Sequence, residues 1–124
     1  MKKEKILKID GNDYQIKFPS VGEMIAIESM KMSFTKNRYV EMSSSDLQSH
    51  KFALDMADTV SYFSVLIPEL KENLKIKGWW EADPYIIKNL MKVYQKQFIP
   101  WFKPILDDLY KYEDDEDESE TEEQ

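Results

Sequence analysis

The chain has 124 residues, a formal net charge of −7, and a composition that is 42% hydrophobic and 13% aromatic. That length is typical of one domain, and the aromatic content is sufficient for a folded core. The sequence contains no cysteine and one histidine, His50, which excludes disulfides, thiolate metal sites, thiol catalysis and any site that requires two imidazoles. It contains no long apolar run, so we expect no membrane association. We therefore predict a protein without metal or cofactor, in a reducing compartment.

The acidic residues are concentrated at the C-terminus. Nine of the 24 acids lie within residues 113–124, EDDEDESETEEQ, which leaves 15 acidic and 17 basic residues in the rest of the chain. Such a run repels itself and buries no apolar surface, so we predict a single domain over residues 1–112 and a disordered acidic tail over 113–124. The tail either keeps the protein soluble or contacts a basic surface of a partner. It would repel phosphate, and we expect no nucleic-acid partner.

The first predicted element is a β-hairpin over residues 5–18. Apolar residues alternate with polar ones in two short runs, at Leu7, Ile9, Tyr14, Ile16 and Phe18. Residues 10–13, DGND, separate the runs, and their glycine and asparagine readily adopt the positive φ of a tight turn. A lone hairpin is marginal in water, so it must pack on the rest of the chain or on another subunit.

A helix over residues 21–32 is predicted next, because Ser20 and Glu23 have the spacing of a capping box. We expect its apolar side to consist of Met24, Ile25, Ile27 and Met32, and its solvated side of Glu23, Glu28 and Lys31. Residues 33–45 have no clear period. They predict a loop with a short ordered piece near residues 39–40, and they are the best candidate for a mobile segment within the domain.

The longest predicted helix spans residues 46–67. Ser45 or Asp46 is expected to cap it, and Pro68 is expected to end it. Apolar residues recur along it at steps of three and four, which is typical of a helix with one face in the core. Residues 69–77 then form a charged connector.

The last helical region begins at Asp83 and Pro84, which have the residue types of an N-cap and a first helical position. Helical spacing of apolar residues continues towards the tail, and we expect Pro100 and Pro104 to interrupt or kink it. The predicted fold class is therefore α+β and mostly helical. Its N-terminal β-hairpin packs on a bundle of three to four α-helices.

No residue pattern in the sequence predicts a catalytic or metal site. His50 lacks a second imidazole or a cysteine nearby, and the serines at residues 43–45 lack a glycine-flanked elbow. The oxygen-bearing side chains of residues 10–13 are explained by a turn and lack the spacing of a calcium loop. Asp55 and Asp58 lie one helical turn apart and are expected on a solvated face. We therefore predict that the protein is not an enzyme.

Two pairs of adjacent aromatic residues are the candidate contact residues for a partner. Trp79 and Trp80 follow a glycine, and Trp101 and Phe102 lie between two prolines. Adjacent side chains on a helix point about 100° apart, so one core face does not easily hold both members of a pair. Methionines surround the irregular segment, at Met24, Met30, Met32 and Met42. Two interpretations stay open for these residues: a plain core, or a groove that binds a partner or a second copy.

Residues 5–32 resemble the small tail assembly chaperones of tailed bacteriophages, which are encoded beside the tape-measure protein. The hairpin ILKIDGNDYQIKF has the pattern hydrophobic–x–hydrophobic–x–Gly–x–x–Tyr, and it leads directly into a helix opened by PSVGE. The resemblance implies a non-enzymatic binder that coats the tape-measure protein in the host cytoplasm until tail-tube subunits polymerise around it. The C-terminus of this chain differs from the family, because it is an acidic run, whereas the family has a domain there that recruits the tube subunit.

Two other functions fit the same sequence. One is a structural subunit of the virion, in the tail or the connector, which would be present in purified particles. The other is a small inhibitor of a host protein, with an acidic tail that mimics nucleic acid. Both alternatives, like the chaperone, bind macromolecules and catalyse no reaction.

Overall fold

The structure, a computed structural model, describes residues 2–111; the tail predicted at 113–124 lies outside this range. The chain starts with an antiparallel hairpin of β1 (Glu4–Ile9) and β2 (Asn12–Lys17), in which Leu7 lies opposite Tyr14. The alternating side chains of both strands bury one face and expose the other. The predicted hairpin and the predicted fold class are confirmed.

The hairpin turn consists of Asp10 and Gly11, with φ angles of 51° and 80°. Two successive residues with positive φ are typical of the type I′ turn, whose twist matches that of the flanking strands. The expectation that the asparagine would take a positive φ is wrong, because Asn12 already belongs to β2. Asp10 takes this conformation instead, and aspartate tolerates it better than most residues do.

The rest of the described chain consists of helices and the loops that join them. The α-helices are α1 (Val21–Phe34), α2 (Tyr39–Ser43), α3 (Gln48–Leu66), α4 (Leu70–Asn73), α5 (Pro84–Val93) and α6 (Ile99–Tyr110). The capping box of α1 is present: the Ser20 hydroxyl accepts the amide proton of Glu23, and the Glu23 carboxylate accepts that of Ser20. Among residues 2–111, none of the helices is both long enough and apolar enough to span a membrane.

The start of α3 differs from the prediction. The helix begins at Gln48 after Leu47, and neither Ser45 nor Asp46 caps it. The Ser45 hydroxyl accepts the amide proton of Leu47 at 3.2 Å, so it stabilises the turn before the helix and no amide within it. The C-terminal end agrees with the prediction, because α3 stops two residues before Pro68.

The prolines do not break the last helical region. A π-helical turn (Tyr94–Phe98) joins α5 to α6, and the helix continues through Pro100 and Pro104. Pro100 lies two residues after the end of this wide turn, whose altered hydrogen bonding makes room for a ring that would clash in a regular helix. In an α-helix, four residues make slightly more than one turn of 3.6 residues, whereas in the wider π turn they make slightly less than one turn. The two angular offsets have opposite signs and compensate each other. The rings of Tyr94, Phe98 and Phe102 therefore stay in one column.

One face of α1 differs from its prediction. Ile25, expected on the apolar side, is 63% exposed, whereas Lys31, expected in solvent, is only 8% exposed. Lys31 lies one turn after Ile27, on the stripe that packs against α3, and a position in that stripe is buried whatever its side chain. Apart from Lys31, Thr59 and Ser61, the buried side chains of the described residues are apolar, and the largest fully buried ones are Leu7, Ile27, Phe63, Ile67, Leu70 and Phe98.

Candidate partner-binding groove

An apolar groove lies where the C-terminal end of α1, the α2 helix, the middle of α3 and the loop between α4 and α5 meet. It consists of two adjoining cavities of about 360 Å³ and about 200 Å³. Phe34, Met56 and Trp80 line both cavities, so the two cavities adjoin and form one site. We name this site the Trp80 groove.

Trp80 is the most accessible aromatic ring of the groove, with 59% of the residue exposed. Its ring meets Phe34 edge to face, with centroids 5.5 Å apart and an interplanar angle of 73°. The Lys36 ammonium lies 4.7 Å from the centroid of the indole ring, within range of a cation–π interaction. Trp80 is therefore held in one orientation while its surface remains open to a partner.

The loop between α4 and α5 gives its two tryptophans opposite environments. Trp79 is half-buried against the core and also lines the second cavity. The Ala82 amide donates to the Trp79 carbonyl at 3.3 Å, and the Asp83 carboxylate accepts the amide proton of Tyr85 at 2.9 Å. These bonds fix the loop at the N-terminus of α5, so that Trp79 turns inward and Trp80 turns outward.

One wall of the groove belongs to α2, which has no buried residue of its own. Met42 of α2 lines the larger cavity. The Tyr39 hydroxyl donates to an Asp58 carboxylate oxygen at 2.6 Å and so ties the start of α2 to α3. Arg38 and Glu41 form an exposed ion pair at 3.2 Å, which contributes little to stability. The Tyr39–Asp58 hydrogen bond therefore holds this wall in place.

Behind the wall, the buried Lys31 has polar and aromatic neighbours. Its ammonium donates to the Glu28 carboxylate at 2.8 Å and lies 4.9 Å from the Tyr62 ring centroid and 5.5 Å from that of Tyr39. Burial alone would lower the pKa of Lys31, but the Glu28 hydrogen bond and the neighbouring Tyr62 outweigh it and raise that pKa. Lys31 is thus a charged core residue whose desolvation is compensated by its partners.

Burial also raises the pKa values of the acidic groups beside Lys31. It raises the pKa of Asp58 even though the Tyr39 hydrogen bond and the Lys31 charge lower it. It raises the pKa of Tyr39, with help from the hydrogen bond to Asp58, and it raises the pKa values of Tyr62 and Tyr94. The expectation that Asp58 lies on a solvated helix face is wrong, because α2 covers it.

The other predicted pair of contact residues lies under the hairpin. Phe102 is only 3% exposed and stacks on Phe98 and Phe18, with centroids 4.8 Å and 5.2 Å away. Trp101 is half-buried, and its indole N–H donates to the Lys2 carbonyl at 2.8 Å. Neither residue lines the Trp80 groove. The structure therefore brings Trp79 and Trp80 together with the groove and places Phe102 in the core.

Several groove residues were not identified from the sequence. Phe34 lies in the stretch without a clear period, and Met56 belongs to the core stripe of α3. The available signal was the group of methionines around residues 33–45, since Met42 does line the groove. Periodicity assigns residues to a face of one element, but it does not show where the faces of different elements meet.

The groups with potential for chemistry are sparse in the described part of the chain. Within residues 2–111, no cluster of three or more histidine and carboxylate side chains could hold a metal ion. The His50 imidazole contacts the Ser45 hydroxyl at 2.7 Å, and the same hydroxyl accepts the Leu47 amide proton. Ser45 therefore serves the turn before α3, and the pair is explained by that structural role.

Comparisons with known proteins give no relative for this chain: no protein-family model, no curated protein and no solved structure matches it.

Proposed function

We propose that this protein is a non-catalytic factor that binds a protein partner, and that the Trp80 groove receives an amphipathic helix of that partner. The observation that carries the proposal is the exposed Trp80 ring above an apolar groove between helices. Tryptophan is the residue most enriched among the dominant contact residues of protein interfaces. A groove between helices is also the usual receptor for the apolar face of another helix.

The residues at the rim of the groove indicate the charge of this partner helix. Lys36 and Arg38 line the larger cavity and are both exposed. A helix with carboxylates beside its apolar stripe would complement these two basic groups, and such complementarity favours specificity and rapid association. The flexible thioethers of Met42 and Met56 adapt to apolar side chains of different shapes. These features suit a long helical partner with a repeated apolar stripe better than a single small ligand.

The biological setting that we propose is the assembly of a bacteriophage tail, with the tape-measure protein as the helical partner. Support comes from the resemblance over residues 5–32, a hairpin followed directly by a capped helix. Further support comes from the groove, which has the apolar character that a factor coating a helical protein requires. A structural subunit of the virion is the alternative, and a small inhibitor of a host protein is the second alternative.

The direct test is to co-express the chain with the tape-measure and tail-tube proteins of the genome that encodes it. We expect a complex with the tape-measure protein that survives affinity purification. Trp80→Ala should weaken it about 30-fold or more, because a dominant interface residue contributes about 2 kcal/mol. Tyr85→Ala is the matched control, since Tyr85 is 75% exposed, lies five residues away and does not line the groove.

Three outcomes decide between the candidates. If neither tail protein binds, the proposed setting is wrong. If the tape-measure protein binds the Trp80→Ala variant as tightly as the original chain, the setting stands and the groove is wrong. If the protein is present in purified virions in stoichiometric amounts, it is a structural subunit, because an assembly factor leaves before the particle is complete.

A further inference from the structure

The two edges of the hairpin differ in whether their peptide groups have partners. On the β1 edge, the Lys8 amide donates to the Gln97 side-chain oxygen at 2.9 Å, and the Gln97 side-chain nitrogen donates to the Lys8 carbonyl at 3.1 Å. The Trp101 indole donates to the Lys2 carbonyl further along the same edge. The side-chain amide of Gln97 thus takes the place of a neighbouring strand. The helix that carries Gln97 and Trp101 closes this edge.

The β2 edge is open as far as residues 2–111 are concerned. Peptide groups alternate in direction along a strand, and those of Lys8 point away from β2, so its opposite residue Asp13 also points away from β1. By the same alternation, the N–H and C=O groups of Gln15 and Lys17 point outward. The side chains of these three residues are exposed, and β2 pairs only with β1 in the described part of the chain. An open edge of this kind readily pairs with another strand.

The sequence of β2 is complementary to itself when two copies run antiparallel with Gln15 opposite Gln15. In that register, Asp13 of one copy lies opposite Lys17 of the other, on both sides of the centre. Both residues have outward peptide groups, so each opposed pair exchanges two backbone hydrogen bonds. Tyr14 lies opposite Ile16 of the second copy, and these two residues belong to the buried face of the hairpin.

We propose that two copies of this chain form a symmetric dimer by pairing their β2 strands into a four-stranded antiparallel sheet. The register is set by charge, because opposite charges across strands stabilise a sheet and like charges destabilise it. A shift by one residue would place outward peptide groups opposite inward ones and reverse the faces. A shift by two residues towards the C-terminus would place Asp13 opposite Pro19, which has no amide proton to donate. The dimer uses a surface separate from the Trp80 groove.

The first test measures the mass of the full chain by light scattering after size exclusion, from low micromolar to near-millimolar concentration. We expect the mass to rise towards twice the chain mass of 14.8 kDa. Gln15→Pro removes an outward amide proton at the centre of the interface, where the fold itself does not use it. It should return the mass to that of one chain. Trp80→Ala is the matched control and should leave the dimer intact. A single-chain mass at every concentration overturns the proposal.

A charge exchange tests the register and does not depend on whether the proline variant folds. Asp13→Lys alone and Lys17→Asp alone should each abolish the dimer, because each places like charges opposite each other. An equimolar mixture of the two variants should form a heterodimer, and the double variant should form a homodimer again. Circular dichroism checks that each variant keeps its helical content. If the single variants still dimerise, the proposed pairing is wrong.

Hydrogen exchange locates the interface. The amides of Asp13, Gln15 and Lys17 should gain protection as the protein concentration rises, while those that already pair with β1 should stay unchanged. Protection that rises elsewhere and not at these three amides would show that a dimer forms through another surface, and this would overturn the proposal.

Discussion

Two pairs of adjacent aromatic residues look alike in the sequence and have different environments in the structure. Trp79 and Trp80 lie in a loop, where the backbone turns one ring into the core and leaves the other 59% exposed. Trp101 and Phe102 lie in α6, where adjacent side chains point about 100° apart. Phe102 is nevertheless buried and Trp101 half-buried, because Phe18 at the end of the hairpin stacks on Phe102 and the Lys2 carbonyl accepts the indole proton of Trp101. Whether a bulky pair is available to a partner therefore depends on how many sides of its element are covered.

The second pair belongs to a column of rings that joins the hairpin to the helices. Phe18, Phe102, Phe98 and Tyr94 stack in succession, with centroids 4.8–5.4 Å apart and interplanar angles of 19–22°. Tyr62 of α3 meets the last three of these rings from the side. Such contacts add to the stabilisation from burial. We expect this column to determine stability and the Trp80 groove to determine binding.

The largest expected effect comes from removing a ring of the column. Phe102→Ala should lower the free energy of unfolding by about 3–5 kcal/mol, because it leaves a cavity between Phe98 and Phe18. Urea unfolding followed by circular dichroism measures this value. Tyr110→Ala, at a position of the same helix that is 63% exposed, is the control and should change it by less than about 1 kcal/mol. Equal effects of the two substitutions would contradict the assignment of Phe102 to the core.

The next effect is a loss of stability at alkaline pH. The folded protein raises the pKa values of Tyr62 and Tyr94 above the ordinary value of 10. The contribution of these two tyrosines to the free energy of unfolding is therefore complete below pH 10 and is lost as the pH rises towards their folded-state pKa values. The raised pKa of Lys31 changes the stability in the same direction. One such tyrosine lowers the free energy of unfolding by at most about 1.4 kcal/mol per pH unit.

Urea titrations at about pH 8 and about pH 11 measure this loss. Tyr94→Phe keeps the ring in the column and removes the ionisable hydroxyl, so its stability should fall less steeply with pH. Tyr85→Phe is the control, because Tyr85 is 75% exposed. An unchanged slope in Tyr94→Phe would show that this hydroxyl is not buried as described.

Local signals in the sequence predict the elements whose stabilising contacts are themselves local. The Asp10–Gly11 turn lies between two alternating runs, and Ser20 and Glu23 make the capping box of α1 with their own neighbours. The burial of Lys31 depends on Tyr62, more than thirty residues away, and on α2. The sequence around Lys31 contains no pattern that indicates those contacts, so the prediction that Lys31 lies on the solvated side of α1 is wrong.

The residues of the Trp80 groove also differ in whether a local pattern in the sequence predicts them. The sequence predicts Trp80 as a contact residue, because a glycine and a second tryptophan mark a loop with more aromatic surface than it can bury. Phe34 and Met56 were not identified, because their place in the groove depends on how α1 and α3 pack. The π turn was not predicted either, and it is the feature that lets Pro100 and Phe102 remain in one helix.

A smaller effect is expected where α2 is tied to α3. Tyr39→Phe removes the hydrogen bond to Asp58 and should lower the free energy of unfolding by about 1 kcal/mol. Asp58→Asn keeps an oxygen that accepts the Tyr39 proton, and it removes a carboxylate whose pKa is raised by burial. It should therefore lower the free energy of unfolding by less than Tyr39→Phe does. Hydrogen exchange of the α2 amides should increase in Tyr39→Phe and stay near the original rate in Asp58→Asn. The same exchange in both variants would show that this bond does not hold the wall.

The smallest effect on stability is expected at Trp80, and this makes it the sharpest test of the comparison. Trp80→Ala should change the free energy of unfolding by less than about 1 kcal/mol, because the exposed ring loses little buried area. Trp79→Ala should cost more, since that ring packs against the core. Urea unfolding of the two variants side by side measures the difference. If Trp80→Ala is as destabilising as Trp79→Ala, the ring stabilises the fold and the loop presents no free tryptophan to a partner.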